Sequence, residues 1–504
     1  MQVLFRADAS TQIGTGHVMR CLALAQACLA EGGQAHFLMG CEGATLTQRL
    51  TSEGVGVSYG SVPWASEADA QNTIALAKDL QADWVVVDGY HFGAEYQKWL
   101  KDVGTKLLVL DDYGHATHYW ADIVLNQNIT AEEEIYASRE SYTKLLLGTR
   151  YALLREEFWP WRSWKRQISP IASKVLVTLG GSDPNNITLA VIQALQEAKI
   201  AGLEAVVVAG ASNPHCSELA QAVKGWEKSI TLKQNVTNMP ELMAWADLAI
   251  TAGGSTCWET AFMGLPSMVI TLVENQTAIV KTLSSLDVVV SISSHEAFEI
   301  NSFAHCLEKY LKQQELRSSL SKKFSNLVDG YGSERLAMVI QESLIRLRPV
   351  NEEDCLLLWH WANDPVTRAS SFSSELISWH QHIQWFNAKI KSENCTIYIA
   401  LNNRDQPIGL IRYEVDAKNE AVVSINIASQ YRGMGYASSI IEKSSSKMLK
   451  NSKLHQLNAY VKQDNLASIK AFLKAGFKQT DKPFSETSNS KLSAIHLIKQ
   501  NHYF

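Results

Sequence analysis

VLFRADASTQIGTGHVMRCLALAQACLAE, residues 3–31, is the stretch on which the fold turns. Val3–Phe5 is a short, continuous apolar run, the pattern of a strand buried on both faces. It feeds a loop, Arg6–Gly16, and then a helix, His17–Glu31. Gly14 and Gly16 let the backbone turn tightly and approach a ligand closely. The start of the following helix offers unpaired N–H groups and partial positive charge to a phosphate or an oxyanion. His17 stands where loop meets helix, and a neutral imidazole there can take a proton from water. A histidine that only caps the helix is the competing reading.

The same pattern recurs along the first 340 residues. Trp84–Val87, Leu107–Leu110, Lys174–Leu179, Ala205–Ala209, Leu248–Thr251 and Met268–Thr271 read as further buried parallel strands, with helical segments such as Thr188–Glu197 between them. Such alternation implies an α/β class with right-handed crossovers. The alternation restarts near Lys174. The preceding stretch, Phe158–Pro170, holds three tryptophans and two prolines and reads as a connection. Two Rossmann-like domains, 1–165 and 166–345, are therefore expected to face a cleft. After Arg346–Asp354 the pattern changes. Helical stretches come first, then Cys395–Leu401, Ile408–Tyr413 and Val422–Ala428, separated by turn-like NNRDQPIG and DAKNE. Residues 346–504 are expected to form an α+β domain around an antiparallel meander. Lys482–Ser493 is polar enough to be a loop.

Composition narrows the function classes. The 504 residues are 46% hydrophobic and 19% charged with a net charge of −5, which suits globular domains and gives no basic excess for nucleic acid. The eight cysteines form no Cys-x-x-Cys pair, so no metal site is expected. The first residues lack a signal-peptide pattern and no apolar stretch nears the ~20 residues of a membrane helix. A cytoplasmic protein is expected.

A second constellation falls at the carboxyl ends of three expected strands, where ligands of such sheets bind. It comprises Gly180-Gly181-Ser182-Asp183, Ala252-Gly253-Gly254-Ser255 with Glu259 one turn on, and Glu274-Asn275-Gln276. Glycine turns at helix starts can cradle a pyrophosphate. Glu259 can accept from two ribose hydroxyls, and Asn275 and Gln276 can bond sugar hydroxyls or amides. Each piece alone could be a helix cap.

Together with Arg6–Ser10 and Ile13–Ala25, these motifs make residues 1–340 resemble the UDP-sugar hydrolase family of pseudaminic acid biosynthesis, which is similar in fold to GT-B glycosyltransferases. The resemblance implies that water attacks the anomeric carbon of UDP-2,4-diacetamido-2,4,6-trideoxy-β-L-altropyranose and UDP leaves. It makes His17 the base, and Gly14, Gly16, Gly180, Gly181, Ser182, Gly253, Gly254, Ser255, Glu259, Asn275 and Gln276 the UDP-sugar site. Tyr90, just after a strand, also falls near that cleft.

Residues 346–504 resemble the GNAT N-acetyltransferases through Gln430-Tyr431-Arg432-Gly433-Met434-Gly435-Tyr436-Ala437, after an expected strand and before a helix. Val461, Asn465, Ser468, Phe472, Gly476 and Phe477 extend the match, as do Trp361-x-Asn363-Asp364-Pro365 and His382-x-x-Trp385-Phe386. The resemblance implies acetyl-CoA as cosubstrate, held by residues 430 and 432–437 with Asn465 and Ser468. Phe472 stands where many members carry a tyrosine acid, so either Tyr436, Tyr460 or a water takes that role or the thiolate leaves unprotonated. Glu414 is a candidate base, and a surface carboxylate is the alternative. The two resemblances together imply acetylation of the 4-amino group of a UDP-linked amino sugar, followed by hydrolysis. A GT-B glycosyltransferase, an isomeric sugar substrate with a GNAT of other specificity, and a binding module are the alternatives.

Overall fold

The computed structural model describes residues 1–10, 13–181, 183–210, 213–226, 229–292, 299–451, 454–480 and 494–501. The chain divides into two units, Met1–Leu336 and Ala337–Phe504. Among the described residues the strands form three sheets.

The first unit holds two parallel sheets. One contains β1 (Gln2–Ala7), β2 (Gln34–Met39), β3 (Gly56–Tyr59), β4 (Trp84–Asp88), β5 (Leu107–Leu110), β6 (Ile123–Asn126) and β7 (Lys144–Leu147), in the order β3-β2-β1-β4-β5-β6-β7. The other contains β8 (Lys174–Thr178), β9 (Glu204–Ala209), β10 (Ile230–Gln234), β11 (Leu248–Ala252), β12 (Ser267–Ile270) and β13 (Val290–Ile292), in the order β10-β9-β8-β11-β12-β13. The central strands are buried throughout: Val3, Leu4, Phe5, Val85, Val86, Val175, Leu176, Val177 and Ile250 are at most 1% exposed. That is why they read as unbroken apolar runs. The sequence reading passed over β2, β3, β6, β7, β10 and β13. Four of these, β3, β7, β10 and β13, lie at sheet edges where burial is partial; β10 alternates buried Ile230 with exposed Thr231 and ends in exposed Lys233 and Gln234. Short or half-polar strands carry too little hydrophobic signal.

In each sheet the strand order reverses beside the first strand, between β1 and β4 and between β8 and β11. Crevices open at such switch points, outside the carboxyl ends of the strands. The segment between the sheets is tied to the second one. Phe158 is fully buried, Trp161 and Trp164 meet edge to face at 5.4 Å, and Arg166 donates to the carbonyls of Met263, Ala246 and Met243.

The second unit holds a mixed sheet of β14 (Arg346–Pro349), β15 (Cys395–Leu401), β16 (Pro407–Val415), β17 (Glu420–Ile427), β18 (Gln456–Lys462), β19 (Lys478–Thr480) and β20 (Ala494–Gln500), in the order β14-β15-β16-β17-β18-β20-β19. β15, β16 and β17 form the expected meander. The next step departs from it: β17 and β18 run parallel, because the helix Tyr436–Asn451 carries the chain back across the sheet. The helices Tyr436–Asn451 and Leu466–Lys474 cover one face, where Ile440, Ile441, Ile469 and Phe472 meet Tyr413, Val423, Leu457 and Ala459. The helices Cys355–Ala362 and Trp379–Ile390 cover part of the other through Leu358, Trp361 and Phe386. The polar stretch Lys482–Ser493 lies outside the described residues. No described helix is long and apolar enough to cross a membrane.

Candidate active sites

In the first unit the helix begins at Gly16, one residue before the expected start, and runs to Ala30. Gly14 has φ of +73°, a conformation other residues adopt at a cost, and its N–H closes the loop on the Ser10 carbonyl at 2.8 Å. A Cβ added at Gly16 would meet nothing within 4 Å, so that side of the helix start is open.

His17 and Arg20, three apart on one helix face, both reach Asp88 at the end of β4. His17 Nδ1 lies 2.6 Å from Asp88 Oδ1. Arg20 grips the same carboxylate twice, Nε to Oδ2 and Nη2 to Oδ1, each at 2.6 Å. Burial alone would push Asp88 up, but Arg20 and His17 outweigh it and hold the carboxyl well below the usual range. An ionised Asp88 only accepts, so the proton it shares with His17 sits on Nδ1 and Nε2 is left as the basic nitrogen. His17 is thus more than a cap: its main electrostatic partner is a carboxylate fully screened from solvent.

The network continues. Arg20 Nη1 donates to Asp112 Oδ1 at 2.7 Å, and the Tyr90 hydroxyl donates to Asp112 Oδ2 at 2.7 Å. Burial first, then Asp112, pushes the Tyr90 phenol far up, so it stays a neutral donor. Its ring edge packs against His17 with centroids 4.9 Å apart. Asn128 Nδ2 also donates to Asp112 Oδ1 at 2.8 Å. Two residues of the second sheet domain join here. Trp258 Nε1 donates to Asn128 Oδ1 at 3.2 Å, and Asn275 Nδ2 donates to the Tyr90 oxygen at 3.1 Å. Asn275 Oδ1 is buried without a hydrogen-bond partner. Asp88, Asp112, Asn128 and Trp258 had not been singled out from sequence. The usable signal was position: Asp88 and Asp112 both stand at carboxyl ends of parallel strands.

The glycine turns of the second sheet domain come to the same place. A Cβ on Gly181 would lie 2.7 Å from Thr15 N and 3.2 Å from Gly14 Cα, so the two glycine loops touch backbone to backbone. Gly180 has φ of +94° and open space at its Cβ position, as does Gly254 apart from Gln276 Nε2 at 3.8 Å. Gly253 instead packs tightly, with Val280 Cγ2 2.5 Å from its Cβ position. Ser255 precedes the helix Thr256–Phe262 without a side-chain cap bond. Ser182 lies outside the described residues. Asp183 of the quoted motif is structural: it accepts from the N–H groups of Ile187 and Thr188 at 3.0 and 2.8 Å, starting the helix Ile187–Glu197. Arg6 and Asp8 are structural likewise, a buried pair at 2.7 Å extended to Asp69.

Two of these candidates are partly engaged by the protein. Glu259 is not a free carboxylate: its Oε1 accepts from Arg155 Nη2 at 2.8 Å, which leaves one oxygen for a ligand. Burial still pushes Glu259 up against the pull of Arg155. Gln276 does not present its whole amide, because Oε1 accepts from Leu272 N at 3.1 Å and holds the turn after β12.

In the second unit β17 leads into the loop Arg432–Gly435 and the helix Tyr436–Asn451. Gly433 and Gly435 have φ of +78° and +70°, and a Cβ at Gly433 would meet nothing. Met434 is 37% exposed, Gln430 is exposed, and Ala437 lies in the helix's first turn. Other candidates have partners within the protein here. Arg432 is occupied, with Nη2 2.6 Å from Asp364 Oδ1 and Nε donating to the Ile427 carbonyl at 3.0 Å. Asn465 caps the helix Leu466–Lys474 by accepting from Ser468 N at 3.1 Å, which also commits Ser468's amide. Tyr436 is buried in the core under the helices. Phe472 packs in that core against Phe477, with ring centroids 5.0 Å apart. Glu414 is ion-paired with Lys389 at 2.5 Å and Arg412 at 3.0 Å. Among the described residues no three His, Cys, Asp or Glu side chains are gathered to hold a metal ion.

Known families match both units. Residues 175–326 match the glycosyltransferase family 28 C-terminal domain, and residues 345–478 match the acetyltransferase (GNAT) domain. The chain is therefore a GT-B-like pair of parallel-sheet domains joined to a GNAT domain. An uncharacterized protein of Methanocaldococcus jannaschii is 24% identical over 96% of this chain and 98% of its own. The UDP-2,4-diacetamido-2,4,6-trideoxy-beta-L-altropyranose hydrolase of Campylobacter jejuni is 27% identical over 55% of this chain and 93% of its own. The spore coat polysaccharide biosynthesis protein SpsG of Bacillus subtilis is 26% identical over 53% of this chain and 78% of its own. The first part of the chain thus resembles that hydrolase, and a GNAT domain follows it.

Proposed function

We propose that the chain is a bifunctional nucleotide-sugar enzyme whose GNAT domain acetylates the 4-amino group of UDP-4-amino-4,6-dideoxy-N-acetyl-β-L-altrosamine and whose first unit hydrolyses the diacetamido product to free sugar and UDP. The His17–Asp88 pair at the switch point carries the hydrolytic half. Asp88 holds the proton on Nδ1, so Nε2 can take a proton from water as the water oxygen attacks the anomeric carbon. The C1–O bond breaks and UDP leaves with the electron pair. Gly16, Gly180 and Gly254 leave backbone open to the pyrophosphate, whose developing charge the start of the helix Gly16–Ala30 would stabilise. The unpartnered Asn275 Oδ1 can accept from a sugar amide or hydroxyl beside Tyr90. The hydrolase of Campylobacter jejuni supports the substrate class.

For the acetyl transfer, the observation that supports acetyl-CoA is the wedge between β17 and β18. They pair only over Glu420–Val422 and Gln456–Asn458, while β17 runs on to Ile427 and β18 to Lys462. The glycine loop stands at the wide end. Backbone groups of Gly433 and Gly435 would hold the pyrophosphate there, and the arm of the cosubstrate would fill the wedge and bring its thioester toward the narrow end. Acetyl-CoA supplies the activated acetyl group.

A mass-spectrometric time course with the UDP-4-amino sugar, with and without acetyl-CoA, tests both halves. Free diacetamido sugar and UDP are expected only with acetyl-CoA. Transfer of the sugar to an added acceptor with no free sugar formed in water would overturn hydrolysis in favour of a glycosyltransferase.

A further inference from the structure

The carboxyl edge of the first sheet carries a second carboxylate–imidazole pair beside His17 and Asp88. Asp8 follows β1 and His91 follows β4, and those two strands are neighbours. His91 Nε2 lies 3.0 Å from Asp8 Oδ2. Asp8 Oδ1 accepts from Arg6 Nη1 at 2.7 Å and from the N–H of Gly40 at 2.6 Å. Burial alone would push Asp8 up, but the bonds from His91 and Arg6 outweigh it and hold the carboxyl below its ordinary value. An ionised carboxylate only accepts, so His91 carries its proton on Nε2, and Nδ1 of the neutral ring is an acceptor. The hydrogen bond that His91 makes with the described residues uses Nε2. Its side chain is 26% exposed, whereas that of Asp8 is fully buried.

The imidazole stands beside two rings, Phe92 with centroids 4.0 Å away and Trp64 with centroids 5.5 Å away. Phe92 is buried and Trp64 is half-buried. The indole is held in place at some cost. A Cβ on Gly40 would lie 1.9 Å from Trp64 Nε1, so any side chain at that position after β2 would displace the ring. The next residue, Ala65, has φ of +57°, a left-handed conformation that alanine adopts at a cost. Its N–H donates to Asp69 Oδ2 at 2.9 Å, and Asp69 also grips Arg6. Strain of this kind persists where the surroundings enforce it, often at a ligand site. Tyr90, which precedes His91 in the chain, packs against His17 and accepts from Asn275. The two half-open rings therefore border the hydrolytic site.

We propose that Trp64 and His91 form a subsite for the sugar of the UDP-sugar substrate, in which His91 Nδ1 accepts from a sugar N–H or hydroxyl and the indole packs against the apolar edge of the deoxy ring. The inference rests on the hydrolase reading above. An aromatic wall with one oriented acceptor suits an amino sugar that carries both C–H and N–H groups. It does not suit the pyrophosphate. Arg6 is spent on Asp8 and Asp69, and two carboxylates against one guanidinium leave the local charge negative. Asp8 is a positioning residue here: it fixes the tautomer and the orientation of His91.

The test uses the full chain and the pre-acetylated UDP-diacetamido sugar, with UDP binding read by calorimetry. A glutamine amide can still donate to Asp8 from the place of Nε2 but offers no acceptor at the place of Nδ1. His91→Gln is therefore expected to raise KM about tenfold, the loss of one hydrogen bond to substrate, with kcat and UDP affinity close to wild type. Trp64→Leu, which removes the indole face, should raise KM in the same way. A KM as in wild type for both variants would overturn the subsite and leave the hydrolase reading intact. If His91→Gln weakens UDP binding as well, Trp64→Leu decides: a raised KM with intact UDP binding supports the subsite, and any other result removes it. Wild type that releases no free sugar from this substrate sinks both readings.

Discussion

Two loops in this chain look alike on paper and behave differently in space. Gly14–Gly16 precedes the helix Gly16–Ala30, and Gly433–Gly435 precedes the helix Tyr436–Asn451; each loop contains or borders a charged or titratable side chain. At the first, the side chain is turned inward onto a buried carboxylate and made part of a network that ends in the other sheet domain. At the second, Arg432 is turned away and pinned by Asp364, which leaves bare backbone. On the proposed reading the first loop acts through a side chain, and the second holds its cosubstrate through N–H groups. Glycine spacing reports where a backbone can approach a ligand, not which side chain acts there.

That contrast can be broken at several points. The largest effect is expected from His17→Ala: hydrolysis of the UDP-diacetamido sugar should fall about 10³-fold, with acetylation unchanged, as read by product mass spectrometry. Equal loss of both activities would show a folding defect instead. Asp88→Asn comes next. Asp88 Oδ1 accepts from both His17 and Arg20 Nη2 while Oδ2 accepts from Arg20 Nε, so an amide sets its NH2 group against Arg20 Nε or against the His17 and Arg20 Nη2 pair. The tautomer of His17 is then unsecured, and kcat for hydrolysis should drop about 10²-fold with little change in UDP affinity by calorimetry. Gly435→Val sharpens the other side. A β-branched residue at φ +70° is strained by about 1–2 kcal/mol, so KM for acetyl-CoA should rise roughly tenfold while hydrolysis is untouched. Arg432→Ala should change that KM far less, because its guanidinium already has partners; a larger effect than Gly435→Val would return Arg432 to the phosphate site. The smallest effect is expected at Asn465→Ala. It removes a helix cap worth about 1 kcal/mol, visible in urea unfolding, and should leave KM for acetyl-CoA alone.

The polar motif residues that the structure finds engaged share a cause. Asn465, Gln276, Asp183 and Glu259 carry the right chemistry at ligand-facing ends of elements, but each is spent wholly or partly on the protein. Polar residues at turn positions serve capping and binding equally well, and spacing does not separate the two uses. Tyr90 shows the reverse. A tyrosine after a strand is an unremarkable packing residue until Asp112 and Asn275 are found on its hydroxyl.

By itself the sequence determined the alternation of buried strands with helices, the restart near Lys174, the change of pattern after Arg346 and the places where glycine frees the backbone. Those features are local: hydrophobic period and positive φ are set within a few residues. Which side chains meet was decided only by tertiary structure. Asp88 reaches His17 across 71 residues, Trp258 reaches Asn128 across 130, and His91 reaches Asp8 across 83. The state of each histidine depends on a partner that a different strand delivers, and the order of strands in a sheet is not written in their spacing along the chain.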